Sequence, residues 1–390
     1  MDEHGQGDAG RLPFPGLNFS VGKLLRAIFS LSILAALLVT PIVASAEPVF
    51  GSDLVFPPKS HGRPHGASIV GTDNGKLLVT WFSAKVETDS DAEIYGSIHD
   101  PIAGKWGVPF TIVPKGYAKS VGNTALFRDD DGTIWMFFAS VIFGGWSGAM
   151  VDYTQSYDGG VTWSHGKNFV GWPGNLPRNP PVRVGTDEML VPLFVDFWYE
   201  AGLVGSYTAL IRHKNGVVVE KTYASLDDPD AIQPTAVKLP DGRILLLMRD
   251  KTDRFIRRSW SKDNGRTWSP VSMTTLPNPG SGICAIYVEE AGVVLLAYNH
   301  SRKGRNPLSL AVSEDGGNTF RKIADLESRP GDKTATFDYP AITRTKDGMI
   351  HIVWTHDDRA TLKHAWFNVE WLKEKMGGLA QKSSFARKGS

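Results

Sequence analysis

A polar residue stands eight positions before an acidic turn residue six times along this chain: His65 before Asp73, Asn123 before Asp131, Asn179 before Asp187, Gln233 before Asp241, Ser281 before Glu289 and Tyr339 before Asp347. Successive copies are 58, 56, 54, 48 and 58 residues apart. A period of this size restricts a chain to solenoids and propellers, because one unit cannot bury its apolar face without its neighbours. The content of each unit decides between them. After each polar residue comes a short apolar segment (SIVGT, ALFRD, VRVG, AVKL, CAIYV, AITRT), a turn, and a second apolar run (KLLVTWF, TIWMFFAS, MLVPLFVDF, RILLLMRD, VVLLAYNH, MIHIVWTH). Two such runs joined by Asp-Gly or a relative of it form a β-hairpin, and the rest of each unit has room for two more strands. The pattern predicts an all-β fold: a six-bladed β-propeller built from four-stranded antiparallel blades.

A second repeat supports this. SYDGGVTW at Ser156 to Trp163, SKDNGRTW at Ser261 to Trp268 and SEDGGNTF at Ser313 to Phe320 share the form Ser-x-Asp-x-Gly-x-Thr-aromatic, at offsets of 105 and 52 residues. The aspartate and glycine favour a tight turn, and the terminal aromatic can plug between strands. SIHDPIAGKW at Ser97 to Trp106 is a degenerate fourth copy. Calcium is a poor reading of Asp158, Asp263 and Asp315, because each turn offers one carboxylate where the ion takes about six or more oxygens. With no ligand cluster, nucleotide loop or serine-hydrolase elbow elsewhere, neither a metal nor a cofactor is expected.

Forty-two lysines and arginines against 41 aspartates and glutamates leave no broad field, so nucleic acid and anionic membranes are not expected partners. The single cysteine, Cys284 in GICAIYV, excludes an intramolecular disulfide and reads as a small core residue. Lys23 and Arg26 precede the apolar run AIFSLSILAALLVTPIVASA, with Ala44 and Ala46 at the small-residue positions of a secretory signal. The expected organisation is a signal segment over 1–46, or an N-terminal anchor if it is not removed. A propeller follows over 47–370, then a basic tail over 371–390, and the expected location is secreted or periplasmic. After removal of the signal no membrane contact is expected.

Strand registers place the six matched residues, His65, Asn123, Asn179, Gln233, Ser281 and Tyr339, around one mouth of the axial channel. Such a ring of neutral donors and acceptors suits a hydroxyl-rich ligand such as a sugar. Trp146, set among glycines in GGWSGAM, is placed to stack on a sugar face, whereas Trp198 in VDFWYE reads equally as a core plug.

The Ser-x-Asp-x-Gly-x-Thr-aromatic turns, recurring with the blade period, resemble the Asp-boxes of the sialidase (neuraminidase) superfamily over roughly residues 50–368. The strings GGWSGAM, RNPP, LPNPGSG and GRNPLSLAVS are similar to those of bacterial and plant sialidase-like BNR-repeat proteins. The resemblance implies a pocket in which three arginines clamp a substrate carboxylate, with Arg305 in the last position and Arg257, or failing it Arg254, in the middle one. It implies Tyr339 as nucleophile and Asp91, beside Glu87 and Asp89, as acid/base. Two positions depart from the family pattern. His65 stands where the first arginine is expected, with Arg63 two residues earlier, and Gln233 stands where a glutamate polarises the tyrosine. A glutamine cannot take the tyrosine's proton. Three readings follow: an exo-glycosidase for a terminal acidic sugar, a uronate lyase using His65 as base and Tyr339 as acid, and a non-catalytic glycan-binding propeller. All three name carbohydrate as partner and leave the sugar, its linkage and the oligomeric state open.

Overall fold

The computed structural model describes residues 46–73, 75–196, 205–252 and 254–386, with side chains to residue 377. The expected signal segment and Trp198 lie outside the described residues. The repeat becomes six antiparallel sheets, four with four strands and two, the first and third, with a short fifth. Their innermost strands are Pro64–Gly71, Ser120–Arg128, the split pair Asn175–Pro177 and Val182–Gly185, Ala231–Lys238, Cys284–Val288 and Phe337–Arg344. Each innermost strand touches the next, and the last touches the first, closing a six-bladed β-propeller.

The core is divided as the ring requires. Six hydrophobic clusters fill the gaps between neighbouring blades, from Val70, Phe82 and Met136 between blades one and two to Ile69, Trp81 and Val353 between six and one. Blades are covered on both faces, which is why their second strands read as unbroken apolar runs rather than alternating ones. Trp81, Trp135 and Trp354 are wholly buried in these runs, and each such ring contributes on the order of 2–3 kcal/mol of burial free energy.

Three Asp-boxes wedge the blades together in the same way. Asp263 accepts from Ser261 Oγ (2.7 Å), Thr267 N (2.9 Å) and Thr267 Oγ1 (2.6 Å), and Asp315 repeats this with Ser313 and Thr319. Asp158 does the same with Ser156 and Thr162. The carboxylates are consumed by their own turns. The box glycines Gly160, Gly265 and Gly317 have φ of 95°, 84° and 93°, and a Cβ on each would stand 2.7, 2.5 and 2.5 Å from Leu78, Leu190 and Leu245 of the preceding blade. Only glycine meets both demands, the left-handed backbone and the close approach.

Blade six draws only three strands from its own unit. Its outer strand is Phe50–Leu54, which pairs antiparallel with Thr361–Phe367 so that Phe50 faces Phe367 and Leu54 faces Lys363. Helix Val369–Ala386 follows, occupying most of the segment read as a basic tail. Val369 and Leu372 enter the cluster between blades five and six, and Trp371 stacks on Phe50 at 4.9 Å. Among the described residues no helix is long and apolar enough to cross a membrane.

Candidate active site

Three of the polar residues eight before the turns, Asn123, Gln233 and Tyr339, mark bulges in the innermost strands. One extra residue enters between Gly122 and Thr124, between Ile232 and Thr235, and between Asp338 and Ala341. Asn123, Gln233 and Tyr339 take left-handed φ values of 32°, 53° and 52° there. A bulge re-aims a side chain, and these point into the axial cavity rather than between blades. A left-handed tyrosine costs about 1–3 kcal/mol, so the surrounding packing must hold it. In blade one the equivalent residue is Gly66 (φ 61°), not His65: it stands nine before the turn glycine Gly75, as Asn123 stands nine before Gly132, and the sequence has Asn74 where the other turn has Asp131. A Cβ on Gly66 would stand 3.0 Å from both Asn123 Oδ1 and Phe82. His65 precedes the bulge and still reaches the cavity, its ring centroid 4.3 Å from that of Tyr339.

The cavity encloses about 280 Å³. It is lined by His65, Asn123, Gln233, Tyr339, Arg305 and Trp146 from the predicted set, joined by Glu87, Asp196, Arg249, Lys251 and Arg359. Tyr339 lies at its centre. Its phenol oxygen accepts from Arg249 Nη1 at 3.1 Å and from Gln233 Nε2 at 3.2 Å. Arg249 Nη1 also donates to Gln233 Oε1 at 3.2 Å, which fixes the amide with its NH2 towards the tyrosine. Arg305 lies 5.5 Å from the Tyr339 ring and pairs with Asp338 at 3.3 Å. Burial alone would raise the phenol, but the charges of Arg249 and Arg305 and the Gln233 hydrogen bond outweigh it and hold Tyr339 below the usual 10.0.

Glu87 forms the opposite wall. It is paired with Arg359 and accepts from Trp146 Nε1 at 3.1 Å. Trp146 lies over Gly122, where a Cβ would meet the indole at 2.3 Å, so the predicted aromatic wall depends on a glycine beneath it. His65 Nε2 is 3.9 Å from Glu87 and Nδ1 is 3.3 Å from Thr355 Oγ1. Burial first, then the charges of Arg359, Arg305, Arg178 and Arg249, hold its imidazole well below 6.5 and therefore neutral.

Other predicted residues are placed elsewhere. Arg257 is 7% exposed and is claimed by Asp228, by Asp250 at 3.3 Å and by Asp230 at 3.7 Å, so it braces the blade-four sheet outside the cavity. Arg254 does not line the cavity either. Arg63 pairs with Asp358 at 3.3 Å on the surface. Asp91 accepts from the Lys85 amide at 3.4 Å, within the loop that brings Glu87 to the cavity instead. Asn179 and Ser281 are buried at the channel wall. Asn179 donates to the carbonyls of Gln233 and Pro234 at 3.2 and 3.0 Å, and Ser281 donates to Asn299 Oδ1 at 2.6 Å. They hold the bulges without lining the space.

Arg249, Lys251, Arg359 and Asp196 were not singled out in the sequence. Arg249 ends the apolar strand Ile244–Asp250 and passes for a strand terminus. Arg359 follows Asp357 and Asp358 in a turn where all three have left-handed φ (55°, 49° and 63°). Ion pairs of these residues to Arg329, Arg63 and Glu87 staple this strained turn to its surroundings. Neither Arg249 nor Lys251 has a carboxylate partner among the described residues. The cavity therefore carries excess positive charge and is fitted to an anion.

Six blades around an axial cavity, three of them with Asp-boxes, define a sialidase-like β-propeller. The chain belongs to the BNR repeat-like domain family, whose match spans residues 75–352. No curated protein matches the sequence. Among solved structures it is similar to the Hadza microbial sialidase Hz136, with 18% identity, 80% of this chain and 67% of that one covered and a TM-score of 0.65. It is also similar to the intramolecular trans-sialidase from Ruminococcus gnavus in complex with oseltamivir carboxylate (14% identity, 82% and 98% covered, TM-score 0.65). The Trypanosoma rangeli sialidase gives 12% identity, 87% and 62% covered and a TM-score of 0.67. At these identities the likeness carries the fold alone.

Proposed function

We propose that this chain is an exo-acting glycoside hydrolase for a terminal acidic sugar. One observation carries the reading: the Tyr339 oxygen receives two donors, Arg249 and Gln233, inside a cavity with surplus positive charge. Arginine and amide take over the task a glutamate base would perform. They favour the oxyanion of tyrosine directly, without accepting its proton. In this reaction the Tyr339 oxygen bonds to the anomeric carbon and the glycosidic C–O bond breaks. The leaving oxygen takes its proton from Glu87, which replaces Asp91 in the role of acid and must first take up that proton from solvent, because it rests as a carboxylate paired with Arg359. Water then releases the sugar, with the Glu87 carboxylate as base. Arg249, Arg305 and Lys251 receive the substrate's carboxylate, and Trp146 orients Glu87 through its indole N–H. The names of the structural neighbours, sialidases among them, agree with a sialoside as the first substrate to test.

The lyase reading keeps one point in its favour, a neutral His65 against Tyr339. It requires Tyr339 to donate a proton, and both of its hydrogen bonds run the other way. The test is incubation with fluorogenic sialosides and uronosides and with uronate polysaccharides. Release of the fluorophore supports hydrolysis. A new ultraviolet absorbance from an unsaturated uronate supports elimination, and saturable binding with neither product overturns both.

A further inference from the structure

Beneath Tyr339 lies an arginine that no ligand can reach. Arg178 belongs to the RNPP string of blade three, between the two halves of its innermost strand, and is 1% exposed. It crosses the channel. Nη1 donates to the Ala67 carbonyl of blade one and Nη2 to the Pro340 carbonyl of blade six, each at 3.1 Å. Its guanidinium lies 4.9 Å from the centre of the Tyr339 ring, and its Nε has no hydrogen-bond partner. No carboxylate pairs with it among the described residues. An isolated buried charge is costly enough that proteins supply a counter-charge or neutralise the group, and arginine does not readily give up its proton.

The substrate cannot be that counter-charge, because Tyr339 closes the way down. Asp338 is engaged by Arg305, Glu87 by Arg359, His65 is neutral, and Asp196 is not among the charges that act on Arg178, which are those of Cys284 and Tyr339. Cys284 lies near enough to interact, but burial pushes its thiol up and keeps it protonated. The phenol oxygen is what remains. It takes hydrogen bonds from Gln233 and Arg249, and both contacts favour its oxyanion.

We propose that Arg178 is a fixed counter-charge beneath the ring that favours the ionised form of Tyr339, alongside Arg249 and Arg305 near its oxygen. It is a positioning residue that touches no substrate. It acts by charge on the ring above it and by its bond to the Pro340 carbonyl, which holds the adjoining left-handed bulge. The proposal rests on the phenolate assigned to Tyr339 above, yet its test needs no substrate.

The Tyr339 ionisation is read as the tyrosinate absorbance of the wild-type protein minus that of Tyr339→Phe, across pH. The expected midpoint lies below 10.0, the ordinary value for tyrosine. In Arg178→Met it should rise by about one unit or more, and Arg178→Lys should recover part of the shift. A wild-type midpoint at or above 10.0 overturns the proposal even if neither variant folds. So does an Arg178→Met midpoint equal to that of the wild type. If the midpoints move as expected and no glycoside is cleaved, the hydrolase reading fails while this one stands.

Discussion

The two repeated devices of this propeller behave in opposite ways. At the Asp-boxes, Asp158, Asp263 and Asp315 spend their oxygens on their own turns, and the glycine and aromatic of each box press against the neighbouring blade. At the inner-strand bulges the backbone recurs but the side chain changes, from Gly66 to Asn123, Gln233 and Tyr339, and those side chains face the cavity. Constancy of residue marks the joints between blades. Constancy of backbone with variation of residue marks the place where chemistry is assembled.

The comparison can be broken experimentally. The largest effect is expected at a bulge: Tyr339→Phe should lower kcat by roughly a thousandfold or more, about 4 kcal/mol, with KM and melting temperature nearly unchanged. A loss of only a few-fold would reduce the tyrosine to a sugar contact. Next comes Arg257, one strand away from Arg249 but held by three aspartates outside the cavity. Arg257→Met leaves buried Asp250 and half-buried Asp228 without their cation and should cost about 3 kcal/mol in urea unfolding, with KM of the folded fraction unaffected. A change in KM instead would return Arg257 to the site.

An Asp-box should answer to acid rather than to substrate. Its own turn's hydrogen bonds to Thr267 and Ser261 overcome burial and lower the Asp263 carboxyl to about 2. A depressed folded value stabilises above the unfolded carboxylate range and is lost as pH falls through the folded value. Wild-type stability should therefore decline between about pH 4 and pH 2 more steeply than that of Asp263→Asn, which starts lower by about 1–2 kcal/mol at neutral pH. Parallel curves would mean the box carries no linkage. The smallest effect belongs to Asp91→Asn, expected to change kcat/KM less than about twofold, whereas Glu87→Gln should abolish most turnover. Equal losses in both would restore Asp91 to the acid/base role.

The ring was legible in the sequence because its turns are chemically marked: Asp-Gly and the Asp-box leave the same residues at the same spacing wherever the backbone reverses. What the acidic spacing could not carry was a substitution: the sequence has Asn74 before the turn glycine where other units have aspartate, so counting from Asp73 moved the blade-one match from Gly66 to His65. Arg249 and Arg257 show a second limit. They are eight residues apart, both on blade-four strands, and only the fold tells which faces the axis and which faces three aspartates. Arg359 had no spacing to betray it, since it reaches the cavity from an outer turn through a left-handed backbone. Arg178 was quoted within RNPP as a family-like string, but nothing in that string distinguishes a buried strut from a surface loop.

The outer strand of blade six, Phe50–Leu54, sets a schedule for the molecule. It is made among the first residues of the propeller and must wait for Thr361–Phe367, more than 300 positions later, before it has a partner. Blades two to five can each pack on the one before as they are completed, because their core clusters lie between neighbours. The cavity cannot form in this stepwise way, because Tyr339, Arg359 and the walls from blade one meet only when the clasp shuts. Pairing across such a separation is slow to find and hard to lose once made. The cavity around Tyr339 is thus complete only once the first strand of the propeller has met its last blade.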